Sequence, residues 1–176
     1  EHAFLKGANL KGANLKGVSL ENAVLEDVTS GNISISTETT VSSGYQILNG
    51  YIVGKEVNIE DEDMGKGILK NVDLTGVKMS GANLSELTFN NVKTRSIGTY
   101  DNLQLSTDYK LFGSSIIGPG VNISFEKEDF KTADLTNMKL IDANFEGVDF
   151  SEATLTGLQT SGSGHFSNTI KLPKDY

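Results

Sequence analysis

A period of five residues dominates this sequence and restricts its possible folds more than any other feature. From Ala3 the chain reads AFLKG, ANLKG, ANLKG, VSLEN, AVLED. Small or β-branched residues recur at Ala3, Ala8, Ala13, Val18, Ala23 and Val28, with Leu5, Leu10, Leu15, Leu20 and Leu25 two places after the first five. A period of five matches neither the 3.6-residue turn of a helix nor the two-residue alternation of a strand. Such a chain must turn a corner every five residues, so that one large and one small side chain point inward each time. The pattern returns through Val72, Leu74, Val77, Met79, Ala82, Leu84, Leu87 and Phe89. It returns again through Ala133, Leu135, Met138, Leu140, Ala143, Phe145, Val148, Phe150, Ala153 and Leu155. One solenoid is expected across residues 1–176, with pentapeptide runs at 3–30, 57–94 and 121–160 and insertions at 31–56, 95–120 and 161–176.

These residues resemble the pentapeptide-repeat family, whose motif is a small residue, Asn or Asp, Leu or Phe, then two polar residues. The resemblance implies an all-β fold without helices, a right-handed quadrilateral parallel β-helix with four pentapeptides per coil. Residues twenty apart then stack at about 4.8 Å, the spacing of paired strands. Leu5 is expected under Leu25, Leu69 under Phe89, Phe130 under Phe150 and Leu135 under Leu155. On the outside, Lys6 should meet Glu26 and Asp73 should meet Lys93. Exposed pairs of this kind contribute about 0–1 kcal/mol each.

A longer repeat overlies the short one. The two irregular stretches align without a gap at an offset of sixty-four: Val28 with Val92, Ile33 with Ile97, Tyr45 with Tyr109, Val57 with Val121. In the first, Tyr45–Leu48 and Tyr51–Val53 flank Asn49 and Gly50, the strongest two-residue hairpin signal. The second has Gly113 and Ser114 at the same place, which suits a type II′ turn. Each insertion therefore reads as a β-hairpin lying against the solenoid. Because sixty-four is close to three coils of twenty, the hairpins are expected on one side, about 14 Å or three strand spacings apart. The excess would be absorbed by the turn and by a broken corner near Asp63. A third copy begins at Leu158, and Leu172–Tyr176 matches Val41–Tyr45 and Leu105–Tyr109. The chain is accordingly expected to be a piece of a longer tandem array.

Composition limits the chemistry. Only 37% of the residues are hydrophobic and 7% aromatic, which a thin stacked core can tolerate and a single globular core would not. The net charge of −8 disfavours attraction to nucleic-acid phosphate. The absence of Cys excludes disulfides, Cys-ligated metals and a thiol nucleophile. No apolar run reaches membrane-spanning length. His2 and His165 have no partner pattern, and the Gly-rich stretch before His165 lacks the Lys of a phosphate loop. Glu60, Asp61, Glu62 and Asp63 form the one dense acidic cluster. It falls short of an EF-hand, which needs a third acidic ligand and a closing Glu, so its calcium binding stays open and its plain reading is a solvated corner. Asn32, Asn83 and Asn122 each begin an Asn-x-Ser sequon, which the repeat's own Asn and Ser usage accounts for. Tyr45, Tyr51 and Tyr109 read as contact residues or as hairpin packing. No catalytic, cofactor or metal residues are assigned.

The leading functional expectation is a non-enzymatic structural or protein-interaction module, a stiff rod segment displaying hairpins, partnered by a protein or by itself through repeat stacking. Neither a nucleic acid, membrane insertion nor a small-molecule substrate is expected. The Gly44–Gly54 linker resembles segments of large repetitive proteins from marine microbes and their viruses, which implies an extracellular surface or virion. The alternative comes from the family resemblance: some members mimic B-form DNA and bind type II topoisomerases. The acidic balance fits that alternative, while Lys6, Lys11 and Lys16 interrupt the negative field.

Overall fold

Chirality makes the corners of this fold. In the computed structural model, which describes residues 3–123, 130–161 and 171–175, the last residue of most pentapeptides takes a positive φ, as at Gly7 (69°), Asn22 (61°) and Asp27 (58°). Gly has no Cβ to clash there, and Asn and Asp tolerate the left-handed region better than other residues. Each corner closes with a local hydrogen bond: Ala8 N–H donates to Leu5 C=O at 2.8 Å and Ala13 N–H to Leu10 C=O at 3.0 Å. A positive φ at the third residue of such a turn is the type II geometry.

Four short extended segments complete a coil, and coils stack in parallel. On the first face Phe4 bridges Val24, on the second Asn9 bridges Thr29, and on the third Asn14 bridges Ser34. On the fourth, Ser19–Leu20 pairs with Thr40–Val41. Higher up, the third face carries Asp63, Asn83 and Gln104, and the fourth pairs Gly67–Lys70 with Leu87–Asn90. The large inward side chains form the core: Leu25, Leu69, Leu74, Met79, Leu84 and Phe145 are buried, with Val72, Val77, Ala82 and Ala143 beside them. Phe130 lies under Phe150 at 6.0 Å between ring centroids. The coil also runs further into the first insertion than the pentapeptide count suggested, because Ser34 and Thr40 both pair with the coil below.

Two expectations need correction. The corner near Asp63 does not break. Ile59 and Met64 are both buried, Asp61 has φ 59°, and Glu62 N–H donates to Ile59 C=O at 3.2 Å. Glu62 occupies a small inward position there, and its charge is met by an ion pair with Lys11. Phe130–Thr132 makes one 3₁₀ turn, and no α-helix occurs among the described residues.

The second correction concerns the cassette. The first hairpin pairs Gln46–Leu48 with Tyr51–Val53, and the second Lys110–Phe112 with Ser115–Ile117. Asn49 and Gly50 both have positive φ, 50° and 82°, as a type I′ turn requires, and Gly113 takes 54° at the first position of a type II′ turn. Across the first hairpin the second-face ladder steps from Thr29 to Asn58, nine positions more than the twenty of a plain coil, before resuming at Lys78. Across the second, the first-face ladder steps from Lys93 to Asn122, longer by the same nine. Eight of the nine lie in the hairpin and one in a six-residue step before it, Ser34 to Thr40 or Lys93 to Thr99; the rest of the sixty-four make eleven pentapeptides, or two and three-quarter coils. Equivalent residues therefore fall on successive faces: Thr40 on the fourth, Gln104 on the third and Lys171, above Asp149, on the second. The hairpins are a quarter-turn apart, not on one side.

Candidate functional site

The features most specific to this chain are the two hairpins, and they lie inside the stack. Below the first, Ile33 N–H donates to Gly50 C=O at 3.2 Å and Ile52 N–H to Ser30 Oγ at 2.8 Å. Above it, Asn49 Nδ2 donates to Met64 C=O at 2.7 Å and to Lys66 C=O at 3.1 Å. Gln46 completes the upper seam: Nε2 donates to Ile68 C=O at 2.9 Å, and Oε1 accepts from Lys70 N–H at 2.8 Å. The second hairpin repeats the arrangement. Ile97 N–H donates to Ser114 C=O at 2.9 Å, Thr94 Oγ1 donates to Ile116 C=O at 2.6 Å, and Phe112 stacks on Phe130 at 5.0 Å. Ile52, Val53, Ile116 and Ile117 are all buried.

On the other side of each hairpin the coils touch directly. Thr29 bridges Asn58 and Gly44 bridges Val72 around the first; Val92–Lys93 pairs with Val121–Asn122 beside the second. Each hairpin is therefore a wedge, open to the stack on one side and absent from the other.

Two residue pairs seat the wedges, and the expectation that hairpin tyrosines are either contact or packing residues resolves at them. Tyr45 lies over Gly54, and its hydroxyl donates to Lys55 C=O at 3.0 Å. Tyr109 lies over Gly118, and its hydroxyl accepts from Phe89 N–H at 2.9 Å. Burial raises the pKa of both phenols, with Glu56 and Asp73 adding to Tyr45. Tyr51 packs on Gly31 and faces Glu62; burial first, then the Glu62 charge, raises its pKa. At the places equivalent to Gly31 and Tyr51 the second cassette has Arg95 and Ser115, so the large and small partners change places.

Ser30 and Thr94 went unread in the sequence. Both fall where the repeat puts its large inward Leu, five residues after Leu25 and Phe89. Both are buried and bond the hairpin backbone. A polar interruption of the Leu column, twice at the same cassette position, was the available signal.

Outside, charge is cross-linked vertically. Lys6 meets Glu26 at 2.8 Å, Lys78 meets Asp27 at 2.7 Å, Lys93 meets Asp73 at 2.8 Å and Lys171 meets Asp149 at 2.9 Å. Partial burial pushes Asp73 up, but hydrogen bonds from Lys93 and Thr75 outweigh it and leave the carboxyl below its ordinary value. Asp149 is lowered to about 2, chiefly by its hydrogen bond from Lys171 and secondly by Ser151 N–H.

A family model described as pentapeptide repeats matches eight copies at residues 1–28, 67–93 and 129–159. The chain belongs to the pentapeptide repeat family. Its fold is the family's right-handed quadrilateral β-helix. Among solved structures it is similar to HetL, a pentapeptide repeat protein involved in heterocyst differentiation regulation from the cyanobacterium Nostoc sp. strain PCC 7120. The identity is 14%, over 98% of this chain and 87% of that one, with a TM-score of 0.27. It is similar as well to QnrB1, a plasmid-mediated fluoroquinolone resistance protein, at 10% identity over 99% of this chain and 94% of that one, with a TM-score of 0.30. No curated protein matches the chain.

The acidic corner of this pentapeptide repeat solenoid is dispersed rather than convergent. Glu60 accepts from Asn58 Nδ2 at 3.2 Å and from Thr99 Oγ1 at 2.8 Å, Asp63 accepts from Gly65 N–H at 3.0 Å, and Glu62 holds Lys11. Among the described residues no three His, Asp or Glu side chains are grouped to hold a metal ion. No helix there is long and apolar enough to cross a membrane. His2, His165 and the Phe125–Asp129 stretch lie outside the described residues.

Proposed function

We propose that this pentapeptide repeat chain is a non-enzymatic protein-interaction module, a stiff rod segment of a larger surface, fibre or virion protein. The observation that carries the reading is the use of side chains by the stack. Inward positions fill the column, Ile52, Val53, Ile116 and Ile117 of the hairpins' second strands are buried between coils, and outward charges bridge coils. Architectures of this type present long surfaces with little core. The hairpins are wedges within the rod, not decorations on it, so a partner would meet the ladder faces. Protein partners, or further copies of the repeat, suit such faces better than a small substrate.

The topoisomerase reading is the weaker one. A DNA mimic needs a continuous negative surface, and here Lys6, Lys93 and Lys171 each meet a carboxylate on the neighbouring coil and Lys78 one two coils below. The test compares chains with two and four cassettes by small-angle X-ray scattering, beside a gyrase supercoiling assay. The rod reading expects maximum dimension to grow with cassette number, with supercoiling unaffected. An unchanged maximum dimension, or inhibition of gyrase at equimolar protein, would overturn it.

A further inference from the structure

We propose that each hairpin bends the solenoid axis as a removable wedge, and that the quarter-turn between cassettes makes successive bends precess around the axis. Two neighbouring faces of the solenoid carry different layers. On the second face, Asn9, Thr29, Asn58, Lys78 and Thr99 form one unbroken ladder. On the third face the lower pair, Asn14 and Ser34, and the upper set, Asp63, Asn83 and Gln104, are separated by the hairpin tip. Gly50 sits on Ile33 from above and Asn49 holds Met64 and Lys66 from below. The same number of coils is therefore taller on the third face than on the second by at least one strand, about 5 Å. A stack of unequal height tilts toward its shorter side.

The direction of tilt is set by where the chain leaves the hairpin. It leaves the first into the second-face ladder at Asn58 and the second into the first-face ladder at Val121 and Asn122. The two tilts point a quarter-turn apart. Four cassettes in series would return the wedge to its starting face and trace a superhelix rather than a straight or planar rod. The nine-residue excess over plain coils can also be removed. Deleting 45–53 places Asn58 twenty residues after Thr29 and Val72 nineteen after Gly44, so the ladders would close to within one residue of an ordinary coil. The wedge is an addition to the repeat, not a component that the neighbouring coils need. This inference concerns the shape of the chain and stands whether or not the proposed partner class is right.

The absence of Cys allows spin labels to be placed at will. One variant carries Asn9→Cys and Thr99→Cys, another Asn14→Cys and Gln104→Cys, all four positions being exposed. Both pairs span the first hairpin and not the second. Pulsed dipolar spectroscopy should give about 19 Å between the first pair, four strand spacings, and a distance at least about 5 Å longer for the second. Equal distances would overturn the wedge. In the chain lacking 45–53, the two distances should become equal while the β-type circular dichroism and cooperative melting persist. Loss of the fold on excision would overturn removability, and a persistent difference would overturn the hairpin as its cause.

Discussion

Leu84 and Asn83 are neighbours in the chain with opposite fates. Leu84 is 2% exposed in the inward column, whereas the Asn83 side chain caps its own corner by accepting from Ser85 N–H at 3.0 Å. Leu84→Asp should abolish cooperative folding or cost more than about 4 kcal/mol, since a carboxylate there has neither partner nor water. Asn83→Ala should cost about 1 kcal/mol, the usual net contribution of a hydrogen bond. Circular dichroism melts of the two variants decide the matter, and equal midpoints would reverse the assigned inside and outside. Asp149 offers a test at the surface. Its folded pKa of about 2 lies below the unfolded value near 3.9, so the folded state holds this proton less tightly. Its contribution to stability is present above about pH 4 and is lost as pH falls through about 2. NMR titration of the Asp149 carboxyl should give a midpoint near 2, and Lys171→Met should raise it. An unmoved midpoint would mean that Lys171 is not the cause.

Elements in this chain are seated by small residues under large ones. A Cβ on Gly54 would strike the Tyr45 ring, and one on Gly118 would strike the Tyr109 ring as well as the Asp108 carbonyl, 2.8 Å away. Gly54→Ala should therefore destabilise by about 1–3 kcal/mol, the range for overpacking, and Gly118→Ala by more, because a backbone neighbour cannot rotate aside. Tyr45→Ala should remove most of the Gly54→Ala penalty in a double-mutant cycle of urea melts. Additive effects would show that the ring does not rest on Gly54. Much at this scale was readable beforehand. Asn49 and Gly50 announced a hairpin, and the five-residue rhythm announced the corners that Gly7 and Asn22 make. The acidic corner was harder, because a count by fives put Glu62 inside and could not reveal that Lys11, two coils below, would reach it.

At the scale of the whole molecule, the coil was legible and its phase was not. A spacing of sixty-four can be divided into three coils and four spare residues, or into eleven pentapeptides and nine extra residues, eight of them in the hairpin. The letters do not say whether hairpin residues count as part of a coil. Only the ladders from Thr29 to Asn58 and from Lys93 to Asn122 decide it. Ser30 and Thr94 hinted that something polar passes over the Leu column there, and that something is the hairpin backbone. The measurement that tests the wedge-interrupted solenoid most directly is the set of interstrand backbone NOEs in solution. The predicted set joins Thr29 to Asn58 and Lys93 to Asn122 across the two hairpins, and Ser19 to Thr40, Asn83 to Gln104 and Asp149 to Lys171 on three successive faces. Contacts joining Asn122 to Asn102 instead, twenty residues back, would mean that the hairpin lies within an ordinary coil, and would contradict the account.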